Sequence, residues 1–544
     1  MTAPTPSEPA AAPALRAARR GVDEAILERI ALMAVVVVAA VLRFVNLSTR
    51  GTFDADQGHD MLVLHDFVTL GQVPLLGPPT SIGDFHHGVL YYFLLAPAAL
   101  LSGSDPVAVT AAIALAGVAA VAVVWWLARS IGGPLAGAAA GLLMAVSASA
   151  VDESTFIWNP NLIALTSAIA LAAAWRAWTT RRAAWWVVAG SGVILTMHCH
   201  VLGSILFFPI AAFFVADVRR RQPGPERAAA WRAGGWVILL LVLSYVPLAI
   251  HELGSNVSET RAALAFVMGG GEGSAVSLPA RLAIVAWRVL AWPLTGLVTE
   301  APGAAVAAAI LVVVSVAWRA SRASGAGADE RTAVRWFAAS LAWTIVALTL
   351  AASGLAQVVP GLPNDHYHAF ADPLVFVVVG LAIGGLARWV GTATWAARLG
   401  RRSLAMGPTL ALLVIVPIIA FNLAHQPPAV AFDGGWPAAQ LAAARAIGAA
   451  GDRQIRLAGL PAFKSTEAIA FPLVHLGRRP VSLAADPTAP PEGAATVVLC
   501  DQIFRDAIGA DCGGPAEDRS TAGAGLTLAD RFEAAPGRWV SVYR

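Results

Sequence analysis

Four ionisable side chains crowd into Phe53-Asp54-Ala55-Asp56-Gln57-Gly58-His59-Asp60, just after an apolar run. Beside a membrane, desolvation lifts a carboxylate towards the pKa of a working base. Asp54 and Asp56 also form a D-x-D, which can hold a divalent cation such as Mg or Mn on phosphate oxygens. The plainer reading is an acidic turn capping a helix from Gln57 onward. A second acidic turn, Val151-Asp152-Glu153-Ser154-Thr155-Phe156-Ile157-Trp158-Asn159-Pro160-Asn161, predicts an N-cap at Asn159 with Pro160 in the first helical position. Six of the 11 histidines fall in three close pairs: His86-His87, His198-Cys199-His200 and Asp365-His366-Tyr367-His368. Neutral histidine pairs can bind metals or phosphate, or simply hydrogen-bond at an interface. Sugar or phosphate contact by at least one pair is favoured over metal.

These residues must be positioned by membrane helices. Of 544 residues only 13 % are charged, 57 % are hydrophobic and mean hydropathy is +0.67. That is about half the usual charge for a soluble domain, which excludes a conventional soluble enzyme. Apolar runs long enough to cross a bilayer core of about 30 Å recur along the chain. The net charge of +3 gives no argument for nucleic acid as a partner. Three cysteines are too few for a disulfide scaffold or zinc ribbon; Cys500 and Cys512 flank a polar stretch and could bridge in an oxidising compartment. Residues 1–25, rich in Pro and Ala with Arg16, Arg19 and Arg20 and without a cleavable signal pattern, read as a disordered cytoplasmic tail.

Spans are expected near 30–47, 107–128, 133–151, 161–178, 184–200, 201–217, 234–252, 302–318, 336–352, 373–389 and 404–422. The run at 88–101 is short, and Tyr91 and Tyr92 suit a helix anchored at the headgroups. Counting it as a span would place every later Arg-rich loop outside. Treating it as interfacial leaves eleven spans, with Arg-rich loops inside and the Asp, Glu and His clusters outside. Segment 281–298 could be a second interfacial helix or a further span. Gly269-Gly270-Gly271-Glu272-Gly273 lacks the Lys-Ser/Thr of a P-loop and reads as a loop. From residue 426 to 544 the chain turns polar, with helices expected at 437–450 and 465–477 and strands at 454–459, 480–484, 495–499 and 538–543. The expected fold is an all-α polytopic membrane domain over 26–425 with a small extracytoplasmic α/β domain.

The order of Leu42-Arg43-Phe44, the Asp-rich loop head, the turn Gly71-Gln72-Val73-Pro74, His87-Gly88-Val89-Leu90-Tyr91-Tyr92 and then Trp158-Asn159-Pro160-Asn161 resembles bacterial protein O-mannosyltransferase-like enzymes. These are C-type glycosyltransferases related to the lipid A aminoarabinose transferases. The resemblance is good over residues 26–215 and in outline beyond. It implies a polytopic enzyme of the bacterial plasma membrane that moves a sugar from a polyprenyl phosphate to an extracytoplasmic protein, lipid or polysaccharide, by inversion. Asp56 matches the family's first-loop catalytic aspartate, although Gln57 stands where the family has Glu, so Asp54 shares the candidacy. Asp152 or Glu153 would bind sugar hydroxyls, assist a metal or orient the acceptor. His86, His87, Tyr91, Asn159, His198, His200, His366, Tyr367 and His368 are the other expected substrate contacts. The donor phosphate calls for an outside cation, with Arg261, Arg281, Arg288 and Lys464 as candidates and Arg43 as an anchor or ligand.

Two other functions compete. A transporter or flippase of a lipid-linked precursor predicts ionisable residues deep in the bilayer. A non-catalytic cell-envelope assembly protein would use the C-terminal domain to recruit partners.

Overall fold

A computed structural model of the chain describes residues 11–80, 84–269, 275–296, 300–322, 327–356, 365–392, 401–461, 466–481, 493–521 and 525–544. Lys464, most of the 269–273 glycine run and the strand expected at 480–484 beyond Val481 lie outside these residues. Among the described residues nine helices are long and apolar enough to cross a membrane: Glu24–Phe44, Pro106–Gly132, Asn159–Thr180, Val201–Arg220, Pro225–Gly254, Pro302–Ser321, Ala328–Ala351, Asp365–Arg388 and Met406–Ala424. Each coincides with an expected span. The other two expected spans are shorter apolar helices, Pro134–Val146 (followed by Ala148–Asp152) and Ala184–Cys199. The first helix begins at Ala11, so residues 11–25 are helical where an irregular tail is expected. Ala, Leu and Arg dominate that stretch and are strong helix formers.

The helix starting at Asp372 forms the centre of the bundle, packing against Pro106–Gly132, Pro134–Val146, Pro302–Arg322 and Arg401–Ala424. Its Gly380 and Gly384 are four residues apart, and so are Ala136 and Ala140 on the helix they face. A Cβ on Gly380 would lie 2.6 Å from the Ala140 Cβ, and one on Gly384 would lie 2.8 Å from the Ala136 nitrogen. Lipid provides no hydrophobic drive between helices, so this close backbone approach is what the small residues contribute. Arg43 locks the first helix onto the same layer. Fully buried, it donates to Ser154 Oγ and to the carbonyls of Ala39, Ala145, Met144 and Ala150. It is therefore an internal clamp on the second acidic turn.

The helix expected to be interfacial is Leu90–Ser102, 13 residues long with Pro97 inside it. Tyr91 and Tyr92, expected to anchor the helix at the headgroups, face the protein interior and are 0 % and 1 % exposed. Segment 281–298 is largely the helix Leu278–Thr295, whose inner face packs against Pro302–Arg322 and Ala328–Ala351.

The C-terminal domain carries a four-stranded sheet of β1 (Ile455–Leu460), β2 (Ala495–Asp501), β3 (Leu528–Ala535) and β4 (Arg538–Tyr543), in the order β1-β2-β4-β3. β1 and β2 are parallel, and β4 is antiparallel to both of its neighbours. Helices Gly435–Ala450 and Glu467–His475 join its core through Ala443, Ala446, Ile469 and Leu473. Pro536-Gly537 turns β3 into β4, with Gly537 at φ +76 as the turn requires. β3 is absent from the sequence reading. Its LADRFEAA has no β-branched residue, and it is a half-exposed edge held by pairing with β4. Cys500, on β2, is joined to Cys512 by a disulfide.

Candidate active site

The head of the first loop folds as a capped helix start. Asp54 is the N-cap of Ala55–Leu70 in a capping box with Gln57, whose Oε1 accepts from the Asp54 nitrogen at 2.9 Å. The helix thus starts two residues before Gln57, where it is expected to begin, and Gln57 is part of the cap. Its Nε2 donates at 2.8 Å to the Ile157 carbonyl, tying the first loop to the second acidic turn. Asp54 accepts at 2.7 Å from Arg538 of β4, which also bonds Asp501. Burial opposes the Arg538 charge, but Asp501, Asp54 and Asp433 more than offset this and hold the guanidinium above its ordinary pKa. Asp56, in the first turn of the helix, is exposed.

One turn further, Asp60 is buried and accepts from the hydroxyls of both Tyr91 and Tyr92 at 2.8 Å. Burial pushes its carboxyl up to about 7, against the pull of His59 and the two tyrosines. Between pH 4 and 7 the folded chain therefore holds a proton that the unfolded chain releases. Asp60 makes stability fall as pH rises through that window. Asp60→Asn can keep partners for both hydroxyls and should flatten the pH profile of thermal unfolding between about pH 4 and 7. An unchanged slope would assign that dependence to other groups.

The C-terminal domain docks on this helix. Glu467 lies 3.5 Å from His59, Arg479 pairs with Asp66, and Asp433 accepts from Thr52 Oγ1 and the Phe53 nitrogen. Phe53, Trp436 and Phe471 form an aromatic cluster with ring centroids 4.9 to 6.2 Å apart. Contact is closest at Gly58, where a Cβ would come within 2.0 Å of the Glu467 carbonyl oxygen. Gly58→Ala is expected to cost about 1–3 kcal/mol through this clash, read as a lower melting temperature in detergent. A melting temperature equal to that of the parent would show that the two helices do not meet there.

The second acidic turn lies against the first loop. A Cβ on Gly51 would sit 1.9 Å from the Thr155 carbonyl oxygen. Asp152 is reachable by solvent, yet the surrounding protein pushes its carboxyl up to about 6, opposed by Arg50. Glu153 accepts from Trp292 Nε1 at 3.3 Å, and burial together with the nearby Asp372 carboxylate raises its pKa. Asn159 does not cap a helix. It is the first residue of the 3-10 turn Asn159–Leu162, and its Nδ2 donates to the Cys199 carbonyl at 2.5 Å, because that acceptor lies across the bundle within reach.

Behind Glu153 is a buried charged network. Arg288 grips Asp365 with two bonds of 2.8 and 2.7 Å and donates to the Leu355 carbonyl at 2.8 Å. His368 lies between Asp365 at 3.1 Å and Asp372 at 3.3 Å. Arg288 and His368, both expected as substrate contacts, are 3 % and 0 % exposed and are engaged in this ion-pair network.

The three histidine pairs, distant in sequence, meet. His87 contacts His200 with centroids 4.7 Å apart, and His200 lies 5.4 Å from His366 and 5.3 Å from Tyr367. Trp158 packs on His366 at 4.4 Å. Burial and the neighbouring His86 lower His87 to about 4, so it is neutral at physiological pH. His86 bonds Glu259 of the helix Ser258–Met268 at 3.0 Å. His198 bonds Ser244 Oγ at 2.9 Å and accepts from the Leu90 nitrogen at 3.4 Å. A cavity of about 90 Å³ opens between His86, His87, His198 and Tyr245, with Leu75 and Leu248 on its apolar side.

Of the cationic candidates, Arg261 is exposed on the Ser258–Met268 helix, and Arg281 donates to the Thr349 carbonyl at 3.2 Å. Among the described residues no group of three or more His, Cys, Asp or Glu is arranged to hold a metal ion. The sequence reading passed over Asp60, Asp372, Glu259 and Arg538 as site residues. The first two could have been found, since Asp60 is four residues after Asp56 and Asp372 four after His368, on shared helical faces. Nothing local marks Glu259 or Arg538.

Residues 86–247 match the model of the family described as dolichyl-phosphate-mannose-protein mannosyltransferase. No curated protein matches the chain by sequence. Among solved structures, ArnT from Cupriavidus metallidurans in the apo state aligns over 94 % of this chain and 97 % of its own, with TM-score 0.57 and 14 % identity. The same protein bound to undecaprenyl phosphate aligns over the same shares, with TM-score 0.56 and 13 % identity. The matched segment contains the His87-Gly88 motif, both flanking tyrosines, the second acidic turn and the His198–His200 pair, while the Asp54–Asp60 helix precedes it. The part of the resemblance carried by His87-Gly88 with its tyrosines and by Trp158-Asn159-Pro160-Asn161 is thus borne out: residues 86–247 are similar to the mannosyltransferase family model, and the chain shares the fold of ArnT over 94 % of its length.

Proposed function

We propose that the protein is a membrane glycosyltransferase that moves a sugar from a polyprenyl-phosphate donor to the hydroxyl of an extracytoplasmic protein, lipid or polysaccharide, inverting the anomeric centre. The observation that carries this reading is the exposed Asp56 at the start of a helix that Gln57 ties to the second acidic turn, on a fold shared with a protein solved with undecaprenyl phosphate. Asp56 takes the proton of the acceptor hydroxyl, whose oxygen bonds to the anomeric carbon. The bond from that carbon to the phosphate oxygen breaks, and its electron pair leaves with the polyprenyl phosphate. A phosphate leaving group needs cationic or hydrogen-bonding partners rather than an acid. The exposed Arg261 fits that role better than Arg288, which Asp365 already engages.

Asp54 supports the base indirectly. It caps the helix and holds Arg538, so its charge is engaged within the chain. A divalent cation on the D-x-D would then have to rely on Asp56 and phosphate oxygens, an arrangement that activity with and without EDTA tests. Asp152 and Glu153 would meet sugar or acceptor hydroxyls in this reading. The site and the Cys500–Cys512 disulfide lie on the extracytoplasmic face of a bacterial plasma membrane in this reading, as the distribution of Arg implies.

The test is incubation of purified protein with a panel of polyprenyl-phosphate sugars, following released polyprenyl phosphate and labelled product. Release with transfer is expected for at least one donor. Movement of intact labelled donor across proteoliposomes without release would instead favour the flippase.

A further inference from the structure

A further cavity lies towards the opposite end of the bundle from the candidate site, beside the last turns of the helix that starts at Ile163. It has a volume of about 430 Å³. The Ile163–Thr180 helix packs against both Pro106–Gly132 and Ala184–Cys199, and the cavity is a trough over that helix. Consecutive Ala172 and Ala173 make the floor, and Trp126 and Trp185 stand on the two walls. Small side chains between large ones produce the depression.

Its mouth is cationic. Arg176, one turn before the helix end, is exposed, lines the trough and sits 5.7 Å from the centroid of the Trp126 ring. Arg181 and Arg182 follow, exposed in the next turn. Of the acidic groups at this end, Glu28 pairs with Arg129 and Asp217 with Arg220 and Arg221, while Asp329 accepts from the Trp178 indole and Glu226 is exposed; Arg129, Arg176, Arg181, Arg182, Arg220 and Arg221 outnumber them. The local surplus is therefore positive. Tryptophans mark the depth of the membrane interface, and basic pockets between membrane helices suit anionic lipid headgroups.

We infer that this trough binds one anionic phospholipid, with its phosphate on Arg176 and an acyl chain lying over Ala172 and Ala173, in the leaflet opposite the candidate site. The apolar floor accepts any acyl chain. Selectivity comes from the mouth, where a zwitterionic headgroup would bring its own cation towards three arginines while an anionic one would not.

Native mass spectrometry of the full-length protein, supplied in detergent with equal amounts of phosphatidylglycerol and phosphatidylcholine, tests this. The parent should retain one phosphatidylglycerol in roughly tenfold or greater preference, as one charge-assisted contact would provide. Arg176→Gln should abolish the preference, Val188→Trp should fill the trough and reduce retention of both lipids, and Arg519→Gln, exposed on the C-terminal domain, should change neither. Equal retention of the two lipids by the parent, or an unchanged preference in Arg176→Gln, would overturn the assignment. So would displacement of phosphatidylglycerol by inorganic phosphate alone, which would identify a site for free anions.

Discussion

Asp56→Asn is expected to lower kcat for sugar transfer by about 10²–10⁴-fold, the usual contribution of a general base. The substitution is exposed and leaves the capping box intact, so stability should change by no more than about 0.5 kcal/mol. Asp54→Asn should behave in the opposite way. Asn still caps a helix, but the charge facing Arg538 is lost. Hydrogen bonds to charged groups contribute about 1.5–3 kcal/mol, and Arg538 retains Asp501, so a loss towards the lower end is expected, with turnover reduced only partly. Parallel measurement of kcat and melting temperature separates the two roles. If Asp54→Asn abolished turnover at full stability while Asp56→Asn did not, the base would be Asp54.

The second large effect is structural. Arg288→Met leaves Asp365 buried without its guanidinium partner, and removing one member of a buried ion pair costs about 3–5 kcal/mol. The double variant Arg288→Met with Asp365→Leu should recover much of that loss, since replacing a buried pair with apolar residues is often close to neutral. The comparison is thermal unfolding in detergent of the parent, both single variants and the double variant. Singles as stable as the parent would show that the pair adds nothing net. His368, between Asp365 and Asp372, could reduce the recovery, because the double variant also removes one of its acceptors.

Much of the architecture is legible in the sequence because membrane helices obey a local rule. A run of about 20 apolar residues must satisfy its backbone hydrogen bonds internally and becomes a helix wherever it sits. All nine long helices are recoverable from hydropathy for that reason. The arginine distribution also demoted residues 88–101, which form a 13-residue helix. The C-terminal strands at 455–460, 495–501 and 538–543 are legible through their apolar, β-branched runs, whereas β3 depends on its pairing with β4.

The site divides along the same line. Residue types and their nearest neighbours determined that Asp54, Asp56, Asp152, Glu153 and the histidine pairs were the groups with chemistry to offer. Only the tertiary structure decided what each one does. Asp54 caps its helix through the local box with Gln57, but its charge is engaged because Arg538, 484 positions away, meets its carboxylate. Tyr91 and Tyr92 turn inward because Asp60 offers both carboxylate oxygens. Arg288 is spent on Asp365, and the histidine pairs become one wall through the crossing of helices that share no sequence signal. Local sequence fixes backbone hydrogen bonding and polarity, which the bilayer reads directly. The partner of a buried charge is set by the three-dimensional path of the chain, because desolvation makes each such group take whichever counter-charge the packing brings within about 3 Å.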